Sequence, residues 1–326
     1  MGWDRVRGHA DARERLTTAF SAGRLGHGFL FVGPAGVGKH TFAAAFAQAL
    51  LCERPAGPLE PCGRCPGCVQ ARAGTHPDLF LVRTPDDKHE LPVEDMQAFC
   101  ASLGRKASRG GRKVGVVESA DEFNEASANC FLKTLEEPPA GTVLVLLGES
   151  AEAQLPTIRS RCQTVRFHPL ADADVRAVLL DHGVPPDRLD RLVPLAAGRP
   201  GLALALADEA VWAFRDALTG LLTAAKPDAP QLAAELTRFA ESAGKESAAQ
   251  RARAGVAVRL AVDVLRAALR ASVGGPADPA VARLGERLGP DKLADSLDAC
   301  HTADRLIDRR VQLVLVAEQL ADRLAG

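Results

Sequence analysis

Through the first half of the chain, short apolar runs alternate with longer segments in which apolar residues recur at helical spacing. Leu16, Ala19 and Phe20 stand three and four positions apart, which predicts a helix over 9–22. GFLFVG (28–33) reads as a strand ending in glycine, and TFAAAFAQALL (41–51) as an apolar helix after it. DLFLV (78–82), VGVV (114–117), TVLVLL (142–147) and TVRF (164–167) supply further strands. Helices are predicted over 91–104, with Pro92 suited to the first turn, and over 124–137, stopped by Pro138 and Pro139. Strands that are apolar throughout and alternate with helices imply a parallel sheet with helices on both faces.

Beyond Phe167 the strand-like runs end, and Ala, Leu, Arg and Asp follow one another at helical period to residue 326. AAKPDAP (224–230) and GGPADP (274–279) read as loops, and GRPG (198–201) punctuates the pattern. The expected organisation is an α/β domain over 1–168, a small helical unit over 169–206 and an all-α domain over 207–326.

Composition narrows the class. A chain of 326 residues has room for two or three domains, and 40 basic against 41 acidic residues exclude a surface built wholly to grip nucleic acid. The first residues lack an apolar signal core, and no run approaches the roughly 18 apolar residues of a membrane helix. A soluble, cytoplasmic protein is expected. Four of the eight cysteines fall within residues 52–68, a spacing that suits a metal site better than a disulfide framework.

GPAGVGKH (33–40) fits G-x-x-x-x-G-K between a strand and a helix, the setting of a P-loop. Gly33, Gly36 and Gly38 let backbone N–H groups approach phosphate, Lys39 brings positive charge, and the helix N-terminus adds its dipole. An ATPase then needs Ser or Thr to ligate Mg²⁺, but His40 stands there, and imidazole is a poor ligand for so hard an ion. Thr41 is one residue on, about 100° further around the helix. At the end of the third strand an ATPase carries Asp-Glu, the first supporting Mg²⁺ and the second polarising water; here the pair is Glu118 and Ser119. Nucleotide binding stays open, ATP or ADP being the candidate ligand, while hydrolysis by this chain is not expected.

Cys52, Cys62, Cys65 and Cys68 give C-x9-C-x2-C-x2-C, and Gly63 and Gly67 permit tight turns between them. Four soft ligands without His or carboxylate point to closed, tetrahedral, structural Zn²⁺. Free thiols, a disulfide and an iron–sulfur centre are the competing readings. Cys100, Cys130, Cys162 and Cys300 read as small apolar residues.

GPAGVGKHTFAAAFAQALLC, the cysteine cluster, HPDLFLV (76–82), NEASANCFLKTLEEPP (124–139) and LPTIRSRCQTVRF (155–167) together resemble the bacterial DNA polymerase III clamp-loader subunits of the AAA+ superfamily. QLVLVAEQLA (312–321) is a weaker match to the last collar helix. The resemblance implies a RecA-like α/β domain carrying a zinc module at 52–68, a helical lid and an all-α collar for oligomerisation. His40, Glu118 and Ser119 place the chain with the delta-prime branch, which lacks competent ATPase residues yet retains Ser-Arg-Cys. In that branch Arg161 of Ser-Arg-Cys is implied to be an arginine finger offered in trans to a neighbour's ATP, with Arg159 as runner-up. Motor subunits (gamma or tau), the delta subunit, the sliding clamp and primed DNA are the implied partners, with no membrane. The competing readings are an ATP-hydrolysing gamma/tau-like motor, with Thr41 and Glu118 rescuing Mg²⁺, and a stand-alone AAA+ DNA-repair adaptor. RKASRGGRK (105–113) reads as a solvated loop rather than a DNA contact, and Trp3 as an anchor over the sheet.

Overall fold

The computed structural model describes residues 2–85, 88–109 and 111–325, which form two compact units, 1–204 and 205–326. The first unit is α/β. Its strands are β1 (Gly28–Val32), β2 (Leu79–Val82), β3 (Lys113–Val117), β4 (Thr142–Gly148) and β5 (Gln163–Arg166), in the order β2-β3-β4-β1-β5. Every pairing is parallel, with Phe29 opposite both Val145 and Gln163. The five strands expected from apolar runs are therefore all present, within a residue or two at their ends.

Side-chain alternation along β1 shows why its run is continuously apolar. Phe29 and Phe31 meet Phe46, while Phe31 also meets Phe42, on α2 (Lys39–Leu50), which follows α1 (Ala10–Ser21). Leu30 and Val32 enter a separate core with Leu144 and Leu146. That core is closed by Met96, Phe99 and Leu103 of α4 (Val93–Leu103) and by Ala128, Phe131 and Leu135 of α5 (Glu125–Glu136). α3 (Pro66–Ala73), inside the cysteine cluster, and α6 (Pro156–Arg159), just before Arg161, were not marked by hydrophobic period because both are too short to show one. The unit continues with α7 (Asp172–Asp181), α8 (Pro186–Ala196) and the start of α9 (Pro200–Leu206).

The second unit consists of α10 (Glu209–Thr223), α11 (Ala229–Glu241), α12 (Ser247–Ser272), α13 (Pro279–Asp308) and α14 (Leu313–Ala325) among the described residues. The loops expected at 224–230 and 274–279 fall at helix junctions. α12 and α13 pack closely because Gly285 lacks a side chain: a Cβ there would lie 2.4 Å from the Ala268 carbonyl oxygen. α13 is broken at Gly289, whose φ of 68° precedes Pro290. Phe214 stacks on Phe239 at 3.9 Å, and Arg253 covers the Phe239 ring while its guanidinium bonds Asp208 at 2.6 Å.

Trp3 is buried, as an anchor should be, but its target is more specific than the sheet. The indole Nε1–H donates to the Leu59 carbonyl at 2.7 Å and the ring meets Phe42 edge-on at 5.0 Å, so it fastens the loop between Cys52 and Cys62 onto α2.

Candidate functional site

β1, β3 and β4 all end at the same edge of the sheet, so the P-loop, Glu118 and Glu149 converge there, at the carboxyl ends where open α/β sheets bind ligands. Gly36 and Gly38 have φ of 77° and 107°, and a Cβ on Gly33 would strike the Phe167 carbonyl at 2.2 Å. The loop thus needs its glycines both for left-handed backbone and for close approach.

The Lys39 ammonium donates to the Gly33 carbonyl at 2.5 Å and the Pro34 carbonyl at 3.0 Å. Burial lowers its pKa, opposed by the charges of Glu149 and Asp121. His40 Nε2 and Glu118 Oε1 are 2.8 Å apart. The hydrogen bond to Glu118 raises the His40 pKa against desolvation, and the same bond lowers that of Glu118. The two positions at which this loop departs from an ATPase are therefore joined to each other. Thr41 is exposed on α2. Ser119 opens the short turn Ala120–Glu122, its carbonyl accepting from the Glu122 N–H at 3.1 Å.

Sequence reasoning did not single out four groups that complete this neighbourhood. Asp121 accepts from Glu149 N–H at 2.6 Å and from Gln154 Nε2 at 2.5 Å, and burial pushes its pKa up. His9 Nε2–H donates to the Val37 carbonyl at 3.1 Å. Gly201 N–H donates to the Gly36 carbonyl at 2.9 Å, and a Cβ on Gly201 would sit 2.8 Å from Gly36 Cα. Glu149 could have been noticed as the residue after the fourth strand, and Gly201 as the end of GRPG. The partners of His9 and Asp121 left no mark in the sequence.

Arg161 follows α6 at the surface, with its side chain 36% exposed. Its guanidinium pairs with Glu136 and donates to the Thr157 carbonyl at 2.9 Å. Thus TLEEPP and Ser-Arg-Cys, which are distant in sequence, touch through this pair. Arg159 is exposed at the last position of α6. Cys162 is packed against the sheet core, and burial pushes its thiol up to about 12.

The sulfur atoms of Cys52, Cys62, Cys65 and Cys68 all lie within 4.8 Å of one another, so the cluster can hold a metal ion. Cys52 follows α2, Cys62 lies in a loop, and Cys65 caps α3 by accepting from Cys68 N–H at 3.3 Å. The Cys65 N–H in turn donates to Cys62 Sγ at 3.4 Å. Backbone N–H groups of Arg64 and then Cys65 pull the Cys62 thiol down to about 6. Gly63, with φ of 72°, makes a tight turn as expected; Gly67 does not. It lies in α3, where a Cβ would approach the Leu51 carbonyl to 2.6 Å, so its role is close packing of the module against the end of α2.

The basic stretch 105–113 is less free than a solvated loop. Lys113 is buried and donates to the Leu103 and Arg105 carbonyls, while Arg112 covers the Phe20 ring. Ser108 and Arg109 N–H groups bond Asp78 at 2.7 and 2.8 Å, which ties this stretch to the HPDLF turn. Gly110 lies outside the described residues.

A family model described as DNA polymerase III, delta subunit, matches residues 8–171. The DNA polymerase III subunit delta' of Escherichia coli K12 is 34% identical over 303 residues, covering 90% of this chain and 87% of its own. The chain belongs to the DNA polymerase III delta-prime family. The corresponding subunit of Pseudomonas aeruginosa is 37% identical over 177 residues, about half of each chain (53%). A DNA polymerase III gamma subunit-related protein of Thermotoga maritima shares the fold of this chain, with a TM-score of 0.50, 16% identity and coverage of 96% of this chain and 98% of that one. The first unit of this family member has the parallel five-stranded sheet with a glycine-rich loop after β1 and helices following it, the α/β architecture that its apolar runs implied. Among the described residues, no helix is long and apolar enough to cross a membrane.

Proposed function

We propose that this chain is the delta-prime subunit of a DNA polymerase III clamp loader, a cytoplasmic scaffold that does not hydrolyse ATP itself. It supplies Arg161 to the ATP of an adjacent gamma/tau motor and works with the delta subunit to place the sliding clamp on primed DNA. The observation that carries this reading is the His40–Glu118 pair at the metal-binding corner of the P-loop, combined with an arginine left at the surface in Ser-Arg-Cys. A chain without its own hydrolytic chemistry can still stabilise charge in a neighbour's transition state, and a guanidinium given in trans is worth about 10³–10⁵ in rate.

The lid comprises residues 169–206 and the collar 207–326, with the collar joining the ring. Cys52, Cys62, Cys65 and Cys68 hold a structural Zn²⁺, since four thiolates close the tetrahedron and leave no position for substrate. Contact with DNA is made through the assembly, in keeping with the balanced charge of 40 basic and 41 acidic residues.

The test is reconstitution with motor and delta subunits, recording ATP turnover in the presence of clamp and primed DNA. Turnover that needs this chain and collapses in Arg161→Ala, while the complex still assembles, supports the finger. Unchanged turnover in a well-formed complex would remove it and leave a structural role.

A further inference from the structure

Magnesium does not fit the donor set at this P-loop. The ion demands near-ideal octahedral oxygen coordination at about 2.0–2.1 Å, normally from the hydroxyl after the lysine, nucleotide phosphates, waters and a strand-end carboxylate. Here the hydroxyl is replaced by an imidazole, and Nε2 of that ring lies 2.8 Å from the carboxylate oxygen Glu118 Oε1. Glu118 is mostly covered (22% exposed), whereas the His40 side chain is 68% exposed. The carboxylate is thus committed to the ring, and the ring presents most of its surface to solvent.

The rest of the loop is built for an anion. Gly36 and Gly38 keep the left-handed backbone that a phosphate cradle uses. The Lys39 ammonium rests on two carbonyl oxygens, and the negative charges of Asp121 and Glu149 favour its cationic form. Asp121 itself is held by Glu149 N–H and Gln154 Nε2. Arg83 offsets part of the Glu118 charge. A carboxylate on one side of an imidazole favours its cationic form, which can donate a charge-assisted hydrogen bond from the other nitrogen.

We propose that this P-loop binds a nucleoside polyphosphate without magnesium, with cationic His40, oriented by Glu118, standing in the place of the ion. The inference rests on the P-loop alone and is independent of the arginine finger.

Calorimetric titration of the full, zinc-loaded chain with ATP and with ADP tests it. One buffer is freed of divalent ions on a resin, without chelator so that the cysteine site is undisturbed, and the other contains Mg²⁺. The expected result is binding of similar strength in both buffers. Lys39→Ala and His40→Ala should each weaken it by about 10- to 100-fold, the loss of one charge-assisted hydrogen bond. His40→Thr should bind more tightly with Mg²⁺ than without, since it returns a hydroxyl to the metal position. Thermal melts of the variants establish that they are folded. Binding that requires Mg²⁺ in the native chain, binding indifferent to His40→Ala, or no heat at millimolar nucleotide would each overturn the proposal. Assembly with partner subunits, followed on the same preparations, reports separately on the scaffold role.

Discussion

His40 Nε2 lies 2.8 Å from Glu118 Oε1, so the residue after the P-loop lysine is bonded to the carboxylate that ends the third strand. Each holds the other in its charged form, raising the histidine pKa and lowering the glutamate's. The histidine contribution is present at and below the ordinary imidazole range and is lost as pH rises through its folded pKa. The glutamate contribution is present above the ordinary carboxylate range and is lost as pH falls through its own. The pair is therefore strongest in mildly acidic solution. NMR titration should place His40 above the usual 6.5, and Glu118→Gln should bring it down. A His40 pKa unmoved by that substitution would show that the pair does not form in solution.

The isolated chain should show no magnesium-dependent ATP turnover. Ser119→Glu, which restores a carboxylate at the water-polarising position, should not create any, because His40 still occupies the metal corner. Phosphate release assays on native and variant protein, with Lys39→Ala as background, decide this. Turnover that disappears with Lys39→Ala would establish an active ATPase.

Arg161 is held by Glu136 at the protein surface. Exposed ion pairs are worth roughly 0–1 kcal/mol, so Glu136→Gln should hardly move the melting temperature. A large destabilisation would instead make Arg161 part of the internal architecture.

The cysteine module should bind one Zn²⁺, with four thiols that react only after the metal is removed. Trp3 reports on this, because its indole donates to the Leu59 carbonyl between the first two ligands. Chelation should loosen that loop and shift tryptophan emission to the red, and Trp3→Phe, which leaves Trp212, should remove most of the shift. A chain that carries no metal when purified without chelator and keeps the same emission on adding one would contradict the assignment.

Gly201→Ala should destabilise the first unit by about 1–3 kcal/mol, as overpacking does, because the new methyl meets the Gly36 backbone at 2.8 Å. Gly220→Ala, where a Cβ meets nothing within 4 Å, is the control in a thermal or urea melt.

The amino-acid sequence carried the sheet because its strands are buried on both faces, and such strands stand out as unbroken apolar runs: GFLFV needs Phe on one side and Leu and Val on the other. It carried the P-loop and the four cysteines for a similar reason, since both depend on residue type at short, fixed spacing. It also showed that His40, Glu118 and Ser119 depart from an ATPase, each taken alone. Short helices such as α3 and α6 escaped it, being too brief for a period to emerge.

Only the tertiary structure decided which of these residues meet. His40 and Glu118 are 78 positions apart and share a hydrogen bond because β1 and β3 end at the same edge of one sheet. Gly201 reaches Gly36, and Arg161 reaches Glu136, across intervals that no local pattern spans. Spacing along a chain records chemistry that is local; parallel strand order brings distant residues together, and that order is fixed by packing of the whole sheet.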